Sequence, residues 1–217
     1  LNPRLFSEQL IYIINHANDK ILIIDLDLVP IIEKIINDCP NIEKLIILCS
    51  KEDLPSTEIS EVISYEELLS MGNENFVWIT GEETDACGIC YTSGTTGNPK
   101  GVVYTHRSNT LHALTQAAPD MLNLSSSDTI MPVVPLFHAN GWSIAYTAPL
   151  VGSSIVFPGG DLSPSSLYDM LEKGVTITAA VPTVWLLLLN FLESEKKELS
   201  SLKRVVIGGS SCPRSVI

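Results

Sequence analysis

At 217 residues the chain is long enough to bury a large core, as one large domain or two small ones. Its 13 basic and 25 acidic residues leave a formal net charge of -12, a surface that repels nucleic-acid phosphates and excludes a polynucleotide partner. Five cysteines, Cys39, Cys49, Cys87, Cys90 and Cys212, follow no disulfide spacing, which fits a reducing compartment such as the cytoplasm.

The opening residues LNPRLFSEQL lack the basic region and apolar core of a secretory signal. From Phe6 onward, Leu10, Ile13, Ile14 and Ala17 recur at helical spacing, with Ser7 expected as the cap. ILIID at 21–25 and the apolar run 44–49 read as buried strands on either side of a helix over 30–39. This alternation predicts an α/β fold of layered sheets with flanking helices, residues 1–50 forming a βα portion. Residues 51–85 hold ten acidic side chains against one lysine, with a short helical patch at 65–71, and read as a solvated connection.

Residues 86–217 resume the alternation. Strands are expected at 102–106, 129–134, 154–158, 175–181 and 204–207, and helices from Ser108 or Asn109 to about Ala118, over 166–173 and over 183–192. The span from Gly174 to Leu192 carries no charge and is long enough to raise a membrane crossing. Pro182 divides it into a β-branched run and a leucine-rich run, so a strand followed by a helix is expected, and no transmembrane segment. Cys87 and Cys90 form a CxxC with no second pair to complete a zinc shell, so both are assigned to a strand.

Directly behind that strand, YTSGTTGNPKG at 91–101 gathers four serine or threonine hydroxyls, three glycines and one lysine. Glycines let a backbone approach a ligand closely, while hydroxyls, amide protons and lysine suit a phosphate chain. The order is not Walker A, because Pro99 precedes Lys100 and Gly101 follows it, and a kinase glycine loop does not fit either. The stretch resembles the phosphate-binding signature of the adenylate-forming superfamily, which includes acyl-CoA synthetases, luciferases and peptide-synthetase adenylation domains. Thr92, Ser93, Gly94, Thr95, Thr96, Gly97, Pro99 and Lys100 carry the match. The resemblance implies that Thr92 to Gly97 bind nucleotide, that Thr92 meets Mg2+, and that Lys100 neutralises the β- and γ-phosphates during catalysis.

Two further stretches narrow the resemblance. A lone histidine is more often a neutral core residue than a catalytic one. Within PLFHANGW, 135–142, however, the letters are similar to those of medium- and long-chain fatty acyl-CoA synthetases. There His138 lies between acyl group and nucleotide as a catalytic and substrate-binding residue, Ala139 offers its backbone to the acyl group, and Trp142 closes the fatty-acid tunnel. Thr183 and Trp185, in VPTVW, resemble the wall of the same tunnel. After the strand ending at Ile207, GGSSCPRS at 208–215 places small residues where a flat ring can approach, and the family's adenine neighbours map to Gly209, Ser210 and Ser211. A nucleophile elbow is excluded because Cys212 stands where GxSxG needs glycine.

The resemblance covers the whole chain and places it inside the large N-terminal domain of an adenylate-forming enzyme. The small C-terminal domain is absent, and the glutamate for magnesium, the ribose aspartate and the C-terminal lysine are not in this sequence. The implied reaction joins a fatty acid to coenzyme A at the expense of ATP, with Mg2+. A homodimer and peripheral membrane contact are compatible with it. The alternatives are a sibling that activates an aryl or amino acid, and a nucleotide-binding module without catalysis.

Overall fold

The computed structural model describes residues 1–92 and 97–214. The chain divides into two compact units, one of Leu1–Glu82 with Ile89–Val103, the other of Glu83–Gly88 with the residues from Tyr104 onward.

In the first unit, α1 (Ser7–Ala17) leads into β1 (Ile21–Asp25), α2 (Val29–Ile35) and β2 (Lys44–Leu48). Ser7 is the first helical residue rather than the cap. The extended residue before the helix is Phe6, whose N–H donates to the Gln9 side chain at 3.4 Å. The stretch 51–85 is more than a connection, because β3 (Val62–Ser64) pairs parallel with β2 and α3 (Tyr65–Ser70) comes directly after it, capped by Ser64. The sheet order is β1-β2-β3, with Ile23 beside Ile46 and Ile46 beside Ile63. Leu22, Ile24, Leu45 and Ile47 pack with Leu10, Ile14, Ile32 and Ile35 of α1 and α2 into one core. At about 1.5–3 kcal/mol per buried aliphatic side chain, this burial holds the helices on the sheet.

β4 (Ala86–Thr92) and β5 (Lys100–Thr105) form a two-stranded sheet. Thr92 Oγ1 lies 3.5 Å from the Lys100 carbonyl, and Cys87 Sγ lies 3.5 Å from that of Tyr104, so the strands run antiparallel around the glycine loop. Gly101 packs closely across the pair: a Cβ on it would meet Ile89 Cδ1 at 2.6 Å, and the Ile89 side chain would have to move.

In the second unit, α4 (His106–Ala117) is capped by Thr105, whose hydroxyl accepts from the Ser108 N–H at 3.1 Å. Ser108 therefore completes a capping box instead of opening the helix. β6 (Thr129–Pro132), β7 (Ser154–Ile155), β8 (Ile177–Ala180) and β9 (Arg204–Ile207) form an all-parallel sheet in the order β7-β6-β8-β9. Between them run the single turn α5 (Ala139–Trp142), α6 (Ile144–Val151), α7 (Pro164–Leu171) and α8 (Pro182–Glu195). The central strand β8 is buried at every position, as expected of a strand flanked on both edges and covered on both faces. Pro182 opens α8 in its first turn, where a missing N–H costs nothing, so the uncharged span is a strand plus a helix. No helix among the described residues is long and apolar enough to cross a membrane. None of the five cysteines, all among the described residues, forms a disulfide.

Candidate active site

In a parallel sheet every strand ends on the same edge, so the segments leaving the strands gather there. β6, β8 and β9 are neighbours, with Pro132 beside Ala179 and Ala180 beside Ile207. Their carboxyl ends lead into the three segments singled out in this part of the sequence: the run to His138 and Trp142, the Thr183 helix start, and the glycine turn at 208–211.

The run to Trp142 is held in an unusual conformation. α5 is one turn wound left-handed: φ is 43° at Ala139, 56° at Asn140, 62° at Gly141, 55° at Trp142 and 63° at Ser143. The Trp142 N–H donates to the His138 carbonyl at 3.2 Å and the Ser143 N–H to that of Ala139 at 2.9 Å. Left-handed backbone costs an L-residue roughly 1–2 kcal/mol; Gly141 is exempt and Asn140 tolerates it, so the surroundings must hold Ala139, Trp142 and Ser143 in the turn. The result turns His138 to the surface and sets Trp142 half-buried against the cluster of Leu124, Ile130, Val134, Ile144, Ala148, Ile177 and Ala179.

The indole also lies on the glycine turn. A Cβ on Gly208 would fall 2.8 Å from Trp142 Cη2, and one on Gly209 would fall 3.0 Å from Val181 Cγ1. Gly209 has φ 81°, which favours glycine. Sequence reasoning carried Gly209, Ser210 and Ser211 into the site but missed Gly208. A second glycine immediately behind a strand was the available signal. Gly209, Ser210 and Ser211 are exposed.

Thr183 is exposed in the first turn of α8, whereas Trp185 is buried among Met131, Val133, Leu167, Leu171, Val175, Ala180 and Leu188. The Trp185 indole N–H has no hydrogen-bond partner among the described residues. Two cavities elsewhere contain none of these residues. One of about 710 Å³ lies between α2, β2 and residues 56–61, the other, of about 590 Å³, against Cys87, His106, Asn109 and Tyr146.

The residues assigned from the sequence to phosphate binding divide between the described and the undescribed. Thr92 ends β4 and Lys100 begins β5, both exposed, and Gly97 has open space where a Cβ would stand. Ser93, Gly94, Thr95 and Thr96 lie outside the described residues. Tyr91, next to Thr92, shares a 2.7 Å hydrogen bond with His16 Nδ1 within the first unit. Burial, then the nearby Asp19 carboxylate, push the Tyr91 phenol up, so it keeps its proton at neutral pH.

The opposite, amino edge of the second sheet is electrostatic and structural. Arg204 donates to Asp128 Oδ2 at 2.7 Å and to the carbonyls of Leu122 and Asn123 at 2.7 and 2.6 Å. Burial alone would push Asp128 up, but hydrogen bonds from Arg204, Thr176 and Ser125 outweigh it and hold the carboxyl at about 2.

The AMP-binding enzyme family matches the chain across residues 1–217. The chain is similar to the medium-chain-fatty-acid–CoA ligase of Ectopseudomonas oleovorans, 45% identical over 100% of this chain and 40% of that protein. It is 42% identical to the 3-methylmercaptopropionyl-CoA ligase of Ruegeria pomeroyi, again over 100% of this chain and 40% of that protein. Among solved structures, the long-chain-fatty-acid-CoA ligase from Archaeoglobus fulgidus superposes with a TM-score of 0.83 at 27% identity, over 100% of this chain and 41% of that one. The chain thus spans about 40% of the length of these relatives. With its full length matched by that family and its parallel sheets superposing on a CoA ligase, the chain belongs to the AMP-binding enzymes.

Proposed function

We propose that the protein carrying this chain converts a fatty acid to its coenzyme A thioester. A carboxylate oxygen of the acid attacks the α-phosphorus of ATP, the bond to pyrophosphate breaks, and an acyl-adenylate forms. The coenzyme A sulfur, losing its proton, then attacks the acyl carbon and AMP leaves. No side-chain nucleophile is needed, so positioning and charge neutralisation carry the rate.

The observation that carries this reading is the shared carboxyl edge of β6, β8 and β9, where Trp142 rests on Gly208. A flat glycine turn suits adenine at Gly209, Ser210 and Ser211. A half-buried indole, with His138, Ala139 and Thr183 beside it in the sheet order, suits the acyl group and its junction with the nucleotide. Lys100 and the hydroxyls and glycines of Thr92 to Gly97 suit the phosphates. The relatives named for fatty-acid activation favour an aliphatic acid over an aryl or amino acid. ATP and coenzyme A as substrates suit a cytoplasmic protein.

Among the described residues no group of three or more His, Cys, Asp or Glu side chains could hold a metal ion. Mg2+ bound through nucleotide phosphates needs only one or two protein oxygens, and the Thr92 hydroxyl is the one assigned to it. Bound there, the ion would neutralise phosphate charge.

The test is fatty-acid-dependent exchange of labelled pyrophosphate into ATP, measured on the product of the whole reading frame that encodes these residues. Exchange with an aliphatic acid, followed by AMP release on adding coenzyme A, is the expected result. Exchange with an aryl or amino acid alone would transfer the reading to a sibling activity. ATP binding without exchange for any acid would leave a nucleotide-binding module.

A further inference from the structure

We propose that Gln116 and Thr147 are positioning residues: they lock the left-handed α5 turn, hold the Trp142 indole on Gly208, and thereby set the length of acyl chain accepted. The last clause rests on the reading of Trp142 as a boundary of the acyl site.

Gln116 lies in the last turn of α4 and Thr147 in α6, and both are buried, at 8% and 0% exposure. Gln116 Nε2 lies 2.7 Å from the Trp142 carbonyl, and Thr147 Oγ1 lies 2.7 Å from Gln116 Oε1. The polarity of this chain of bonds is forced. A backbone carbonyl only accepts, so the amide NH2 must face Trp142, its oxygen must face Thr147, and the hydroxyl must donate. The same hydroxyl lies 3.1 Å from the Ser143 carbonyl, at the end of the left-handed run.

One side-chain anchor therefore falls on Trp142, and the other residue that closes the turn, Ser143, has its carbonyl held by the Thr147 backbone N–H at 3.0 Å. If the turn unwound to ordinary backbone, the Trp142 carbonyl would swing away and leave a buried amide without its acceptor. The lock thus converts one side-chain contact between helices into a fixed direction for the indole. Nothing in the local sequence ANGW favours positive φ at Ala139 or Trp142, so the determinant of the turn lies outside it.

The experiment uses the product of the whole reading frame labelled with fluorotryptophan, the Trp142 fluorine resonance being assigned by its loss in Trp142→Phe. Gln116→Met and Thr147→Val keep side-chain volume and remove the lock, whereas Thr147→Ser keeps the hydroxyl. Both lock-breaking variants are expected to move the Trp142 resonance toward that of an exposed indole. They should also change the ratio of kcat/KM for long over short acids by about tenfold, the scale of one buried hydrogen bond, with Thr147→Ser close to the parent. Lower thermal stability with an unmoved resonance and an unchanged ratio would overturn the proposal and leave a tie between two helices. A moved resonance with an unchanged ratio would overturn the link to chain length. If Trp142→Ala also left the ratio unchanged, the fault would lie with Trp142 as an acyl boundary and not with the lock.

Discussion

The sheets β1-β2-β3 and β7-β6-β8-β9 are both all-parallel, and both bury aliphatic strands under helices. Their carboxyl edges differ. In the first sheet the strands end at Asp25, Leu48 and Ser64 and pass into a short helical turn, a polar loop and a capped helix. In the second, β6, β8 and β9 end at Pro132, Ala180 and Ile207 and pass toward a left-handed turn, a proline-started helix and a glycine turn. Equal architecture therefore does not make equal chemistry. What separates the edges is backbone forced into positive φ and glycines that let an indole lie on the chain.

That contrast can be broken by substitution, beginning with the largest expected effect. Lys100→Ala should lower kcat/KM for AMP formation by about 10²–10³-fold, the scale of removing a preorganised charge partner. Lys44→Ala, at the start of β2 and paired loosely with Glu61 at 3.7 Å, should stay within about twofold. Steady-state kinetics on the whole reading-frame product would separate them, and equal losses would leave Lys100, beside the glycine loop, no more important than a surface lysine of the first sheet.

The next effect is on stability. Asp128→Asn breaks the buried contact with Arg204 and should cost about 2 kcal/mol in denaturant titrations, without moving the KM for ATP. The pH dependence has a definite sign. Because the folded carboxyl sits at about 2, below its ordinary 3.8, its contribution is complete above pH 4. It should fade as pH drops from about 4 to 2, and Asp128→Asn should remove that part of the acid sensitivity.

Gly208→Ala should lower the acid-dependent rate by about tenfold, since its Cβ would stand 2.8 Å from the Trp142 ring and the indole would have to move. The smallest change is expected at the exposed surface beside β1. Lys20→Ala removes an exposed 3.0 Å pair with Glu43 and should cost under about 0.5 kcal/mol by thermal denaturation.

Much of this contrast was legible in the sequence. Apolar runs such as ILIID and KLIIL announced their strands, and Pro182 announced the strand-to-helix break, because burial and proline geometry act locally. Cap identities were less legible. Ser7 and Ser108 are good capping types, yet the extended backbone falls at Phe6 and Thr105. β3 was missed because three residues in an acidic stretch pair only through the neighbouring β2. The motif residues His138, Trp142, Thr183 and Gly209 could be named singly, and the strand order that brings them to one edge could not. Gln116 was invisible for the same reason: its partner is a carbonyl 26 residues away, and nothing about a glutamine in a helix announces it.

The most direct test of the account is hydrogen exchange on the whole reading-frame product with and without a non-hydrolysable mimic of an acyl-adenylate. Protection of residues 133–143, 181–185 and 206–211 and of the glycine loop, with residues 26–30 and 49–55 unchanged, is the expected result. Protection confined to the edge of the first sheet, with none after β6, β8 and β9, would contradict it.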